Sequence, residues 1–143
     1  MTLVEKQQTL VAEFSSIRDA QARLAHVIKR GRKHPSLAEA QRTEANRVEG
    51  CLARLWLACE IRESDCHFVC DSDSAVVKGI AALLCEFYSD QGADEIVSVE
   101  PDFLSEIGLS RQLTGNRRNA LTRVRETIRA FAQRQLKTPN QPR

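Results

Sequence analysis

Nowhere in the 143 residues is there an apolar run approaching the roughly 18 that a membrane-spanning helix needs. The first residues, Met1-Thr2-Leu3-Val4-Glu5-Lys6, lack the apolar stretch of a secretory signal, so a cytoplasmic protein with no membrane partner is expected. No Cys-x-x-Cys knuckle is present, which argues against a zinc or iron–sulfur site built by this chain alone. A phosphate loop and a dinucleotide fingerprint are also missing, and no cofactor is expected. Aromatic residues make up only 5%, most of them at core-facing positions. Single-strand recognition needs exposed aromatics beside a basic surface, so nucleic acid is not the expected partner. The three histidines have no Asn or Asp partner motif of the kind papain-like catalysis uses.

What is present is ordinary for a soluble globular protein: 42% hydrophobic and 28% charged residues. The length suits one domain, drawn here as residues 1–136, large enough to bury a core without disulfide or metal staples. Residues 137–143, with two prolines, are expected to be a disordered tail. Five cysteines is an odd number, better read in a reducing compartment as thiols, metal ligands or catalytic groups than as a disulfide framework. The net charge of +2 hides an asymmetry. From Ser110 onward nine Lys and Arg face Glu126 alone, and the preceding residues carry twelve basic against eighteen acidic groups. The C-terminal segment is therefore cationic, a face for nucleic acid, an acidic protein or solvent.

Along the chain, Leu3, Leu10, Val11 and Phe14 define one face of a short helix that ends at Ser15-Ser16. Ser16 with Asp19 resembles a capping box opening a second helix through Ile17, Ala20, Leu24, Val27 and Ile28, with Gly31 as its C′ residue and Pro35 barring continuation. His26 and His34 read as surface or cap histidines. The period changes to two at Leu55, Leu57, Cys59 and Ile61, and again at Cys66, Phe68 and Cys70, predicting a hairpin turned at Arg62-Glu63-Ser64-Asp65. On that strand His67 points away from Cys66 and Cys70. Ser72 caps a buried helix predicted over 73–88, in which Gly79 is expected to permit close packing against the sheet. Residues 93–99 are ambiguous between helix and strand, with 96–99 a candidate third strand. Pro101 and Gly108 bracket a short helix, and Thr114-Gly115-Asn116 caps a final arginine-rich one.

The chain is organised around Asn46-Arg47-Val48-Glu49-Gly50-Cys51-Leu52-Ala53-Arg54-Leu55-Trp56. Gly50 permits a sharp turn that sets Cys51 at a loop apex, and Arg47 and Arg54 are close enough in sequence to favour a thiolate, the form that attacks sulfur. The competing reading makes Cys51 a small buried hydrophobe, as most free cysteines are.

Three ordered blocks carry a resemblance. Residues 42–51 followed by Trp56, Asp71-Ser72-Asp73-Ser74-Ala75-Val76-Val77-Lys78-Gly79, and Gly108-Leu109 with Leu113, Arg117 and Asn119-Ala120-Leu121 match, in order, the segments of the SufE family of sulfur-acceptor proteins, which includes the related CsdE proteins. Leu52 and Ala53 replace the polar residues the family usually carries after its cysteine, and Ala120 replaces a usual glycine. The resemblance implies an α+β fold, a small antiparallel sheet of about three strands packed against helices and similar to IscU-type scaffolds. It implies that a pyridoxal-phosphate cysteine desulfurase of the SufS or CsdA kind hands persulfide sulfur to Cys51. The carrier stimulates that enzyme and passes the sulfur to a downstream acceptor or cluster scaffold, rather than turning over a substrate alone. Gly50, Arg54, Asp73 and Arg117 are the supporting or partner-binding candidates, no resident metal is implied, and the protein is a monomer or homodimer. The alternative of another class is a cluster scaffold or metal-binding protein of the related fold, and behind it an arginine-rich binding module.

Overall fold

The computed structural model describes residues 1–137. Its elements run α1 (Leu3–Ser15), α2 (Ala20–Lys33), β1 (Leu55–Arg62), β2 (Asp65–Ser72), α3 (Ala75–Tyr88), α4 (Ala93–Ser98), α5 (Phe103–Glu106), α6 (Leu109–Gln112) and α7 (Gly115–Lys137), with one 3₁₀ turn at Glu39–Gln41. The expected disordered tail begins inside α7 at Lys137, and its other residues, 138–143, lie outside the described residues.

The helix starts follow side-chain capping. Thr2 and Glu5 form a reciprocal capping box at α1. Asp19, not Ser16, caps α2 by accepting from the Ala22 N–H, and Ser74, not Ser72, caps α3 by accepting from the Val77 N–H. Both helices therefore begin later than predicted, and β2 runs on through Ser72.

The hairpin has the predicted alternation on β2 and at the start of β1, but the buried face does not continue to Ile61, which is exposed. Leu55 and Leu57 face the core from β1, and Cys66, Phe68 and Cys70 from β2. Antiparallel pairing runs from Leu55↔Ser72 to Arg62↔Asp65, leaving Glu63 and Ser64 as a two-residue turn at φ 50° and 78°. Two successive left-handed residues match the twist of a tight hairpin, here without glycine.

Among the described residues the sheet has two strands, not three. Residues 96–99 instead belong to or flank α4, whose Ile96 is buried and which packs on α7. The outer edge of β1 is covered by loop: the Val48 N–H donates to the Leu55 carbonyl at 2.8 Å and the Leu57 N–H to the Asn46 carbonyl at 2.8 Å. Along the outer edge of β2, the Cys66 N–H donates to the Gln91 carbonyl at 2.9 Å, the Phe68 N–H to Ser89 Oγ at 3.0 Å, and the Cys70 N–H to His34 Nε2 at 3.1 Å. His34 is thus a buried C-cap residue of α2 that also completes the sheet.

Helix α3 lies between β2, α2 and α7 and is buried along most of its length. Gly31 does not end α2; it lies inside it, opposite Gly79 of α3. A Cβ on Gly31 would stand 2.7 Å from Gly79 Cα, and one on Gly79 would stand 2.8 Å from the Val27 carbonyl oxygen. Gly79 therefore allows close approach, but of α2 rather than of the sheet. The C-terminus of α3 is closed by Lys6, whose Nζ donates to the carbonyls of Glu86, Phe87 and Ser89 at 2.9, 3.1 and 2.8 Å.

Gly79→Ala is expected to destabilise the fold by about 1–3 kcal/mol, the usual cost of overpacking, although alanine gains about 1 kcal/mol in helix propensity. Urea unfolding reads the difference; an unchanged midpoint would show that α2 and α3 can separate without loss.

Candidate functional site

The segment between Val48 and β1 turns at Gly50, whose φ of +84° lies in the left-handed region. A side chain there would also meet Arg123, since a Cβ would stand 2.8 Å from its Nε. Asn119, one helical turn before Arg123 on α7, donates from Nδ2 to the Gly50 carbonyl. The far end is fastened to the strand-to-helix corner. The Arg54 N–H donates to Asp73 Oδ1 at 3.1 Å, the Asp73 N–H to the Arg54 carbonyl at 3.3 Å, and the Ser72 hydroxyl to the same carbonyl at 2.6 Å.

Cys51 sits between these two fastenings, half-buried against the core edge. It opens onto a pocket of about 220 Å³ lined also by Leu52, Ala53, Val77, Thr114, Asn116 and Arg117. Burial pushes its thiol above the usual range, opposed by the Ala53 N–H and the positive charge of Arg47 and reinforced by the negative charge of Asp73. In this conformation it is a shielded thiol rather than a ready thiolate.

The sequence candidates are placed as follows. Cys51 and Arg117 share one pocket. Gly50 supplies the turn, and Asp73 braces the loop through the Arg54 backbone. The arginine that acts electrostatically on Cys51 is Arg47, whose backbone bridges to Trp56. Asn119 belongs to the block that carries the resemblance but has no role assigned from sequence, and Arg123 carries no sequence signal; their four-residue spacing places them on one helix face, but nothing local to α7 indicates the loop they meet. Leu52 is 82% exposed, so one of the two apolar replacements projects into solvent beside the thiol.

Soft metal donors also come together differently from their order in sequence. Cys59, Cys66, Cys70 and His67 do not assemble into one group; His67 faces Asp90, with Nδ1 to Oδ1 at 3.3 Å. The donors that converge are His34, Cys70 and Cys85. All five cysteines are free thiols.

Known proteins give this arrangement a context. A family model described as "SufE: Fe-S metabolism associated domain" matches residues 8–132. An uncharacterized SufE-like protein of Rhizobium etli is 32% identical over 128 residues, covering 86% of this chain and 86% of that protein. A SufE-like protein 1, chloroplastic/mitochondrial, of Arabidopsis thaliana is 32% identical over 83% of this chain, but this chain spans only 32% of its length. The chloroplastic quinolinate synthase of the same plant is 33% identical over 94% of this chain, which spans 20% of it. Among solved structures, a hypothetical protein from Thermus thermophilus has the same fold, with a TM-score of 0.76 at 19% identity over 93% of this chain and 97% of that one.

The opposed charges about Cys51 set a pH prediction. Arg47→Ala removes a charge that lowers the thiol's pKa, so alkylation of Cys51 by iodoacetamide near neutral pH should slow and its rate profile move to higher pH. Asp73→Asn removes a charge that raises the pKa while keeping an acceptor oxygen for the Arg54 N–H, and should move the profile the opposite way. Peptide-resolved alkylation rates check both signs.

Proposed function

The chain belongs to the SufE family, whose domain is associated with Fe–S metabolism, and from that premise we propose that it is a sulfur carrier loaded at Cys51 by a pyridoxal-phosphate cysteine desulfurase. The observation that carries the proposal is the placement of Cys51, a half-buried thiol on a glycine-turned loop beside a pocket containing Arg117. In the transfer step, the Cys51 thiolate attacks the outer sulfur of the donor persulfide. A sulfur–sulfur bond forms to Cys51, the donor's own sulfur–sulfur bond breaks, and the donor cysteine leaves as a thiolate that regains a proton.

The closed conformation favours protection over reaction. A thiol raised by burial is a poor nucleophile and a poor target for peroxide, so the carrier does not waste its sulfur site between encounters. Opening the loop means giving up the Asn119 to Gly50 bond and, further on, the Asp73 to Arg54 pair. Each such bond is worth about 1 kcal/mol net, an amount that docking of a partner can supply. Arg47 and Arg117 are cations available to the emerging thiolate, and Arg54 offers its exposed side chain to acidic groups on the partner. The Cys51 persulfide then passes its outer sulfur to a downstream acceptor or cluster scaffold by the same exchange. The chain stimulates the desulfurase by clearing its persulfide, as a single domain working in the reducing cytoplasm, where thiols persist unpaired. No helix among the described residues is long and apolar enough to cross a membrane.

Intact mass after incubation with a cysteine desulfurase and L-cysteine should show a gain of one sulfur, reversed by dithiothreitol and mapped to the Cys51 peptide. Cys51→Ser should show no gain; a sulfur that persists in that variant overturns the proposal. Asn119→Ala should raise the alkylation rate of Cys51 in the free protein about fivefold, the equivalent of one lost hydrogen bond, with a fall of only a few degrees in the melting temperature.

A further inference from the structure

Away from the Cys51 loop, three side chains from three elements meet inside the protein. His34 at the end of α2, Cys70 on β2 and Cys85 on α3 are all buried, and one donor atom from each lies within 4.8 Å of the other two. No carboxylate belongs to the group. The imidazole is oriented from its far side: His34 Nδ1 meets Glu86 Oε2 at 2.9 Å, Arg30 Nη2 donates to Glu86 Oε1 at 3.1 Å, and Arg30 Nη1 donates to Glu13 at 2.8 Å. A proton held on Nδ1 by a carboxylate leaves the lone pair on Nε2, which is how a metal-binding histidine is commonly set. That lone pair is directed toward Cys70, whose N–H it accepts.

We propose that His34 Nε2, Cys70 Sγ and Cys85 Sγ form a three-coordinate site for a thiophilic closed-shell metal ion, monovalent copper or divalent zinc. Two thiolates and one imidazole are soft to intermediate donors, which select these ions over magnesium, calcium or manganese. Metal–sulfur bonds of about 2.3 Å and a metal–nitrogen bond of about 2.0 Å place trigonal donors about 3.8–4.0 Å apart. Side-chain adjustments of under about 1 Å reach that spacing from the upper bound seen here.

The charge balance is also workable. Binding releases the two thiol protons to solvent. A zinc ion leaves the site neutral, and a copper ion leaves one negative charge facing Lys78, whose Nζ is shared with Asp71 at 3.5 Å. Binding takes Nε2 away from the Cys70 N–H, so that amide on the outer edge of β2 reports occupancy without any assay of sulfur transfer.

The test uses the full chain with Cys51→Ser, which removes one of the two half-buried thiols, the other being Cys59. Under anaerobic conditions it is given one equivalent of monovalent copper or of zinc, challenged with bicinchoninate or 4-(2-pyridylazo)resorcinol respectively, and read by native mass spectrometry. The expected result is one ion per chain retained in one or both arms, with copper alone or zinc alone identifying the ion. Adding Cys85→Ala or Cys70→Ser should abolish retention, and Glu86→Gln should weaken it about 10–100-fold, the usual effect of removing an orienting carboxylate. X-ray absorption of the loaded protein should give two sulfur donors and one nitrogen, and hydrogen exchange at the Cys70 amide should accelerate, so the proposal does not depend on the variants folding. Failure to retain either ion, retention that survives loss of both cysteines, or a different donor set would each overturn it.

Discussion

A two-stranded sheet leaves both edges open, and each outward backbone group must find a partner if it is to be buried. Here those partners come from the segments around the hairpin. Asn46 and Val48 close the edge of β1, while Gln91, Ser89 and His34 close that of β2. The consequence reaches the Cys51 loop directly. Three residues before Cys51, Val48 is tied to Leu55 by a backbone bond, so the chain enters the loop from a fixed position. Only the short stretch between that bond and the Asp73 to Arg54 pair is left to move.

Position and reactivity of the thiol are therefore set by different parts of the molecule. The sheet edge and α7 hold the loop ends, Arg47 and Asp73 oppose each other electrostatically, and burial tips the balance toward the protonated form. Under the proposed function, exposure itself would activate the group and so link chemistry to conformation without a dedicated base. Leu52 adds an apolar side chain to the outer surface of the same loop, where contact with a partner would remove it from water.

Much of the architecture was legible because it is periodic. The alternation at Leu55 and Leu57 and at Cys66, Phe68 and Cys70 marked the hairpin, and the helical stripe from Val77 to Phe87 marked the central helix. The family resemblance carried by the blocks around Cys51, Asp73 and Arg117 was likewise readable and agrees with the matched model. What was not legible depends on contacts between distant residues. The third strand failed because Ile96 is buried against helices rather than paired at an edge, an outcome its local pattern leaves open. Gly31 looked like a helix terminator because its partner, Gly79, is on another helix. At the candidate site, the turn at Gly50 could be read locally, whereas identifying Arg47 rather than Arg54 as the charge acting on Cys51, and finding Asn119 over Gly50, required the folded arrangement.

The matched family model begins at residue 8, two positions after Lys6. Yet that ammonium group occupies three carbonyls at the end of α3, the helix against which β2, α1, α2 and α7 are packed. A boundary drawn from sequence similarity would thus cut away a cation serving a terminus some eighty residues downstream. The leading residues act on the interior from outside the recognised motif, closing the end of the central helix from a position the matched span does not include.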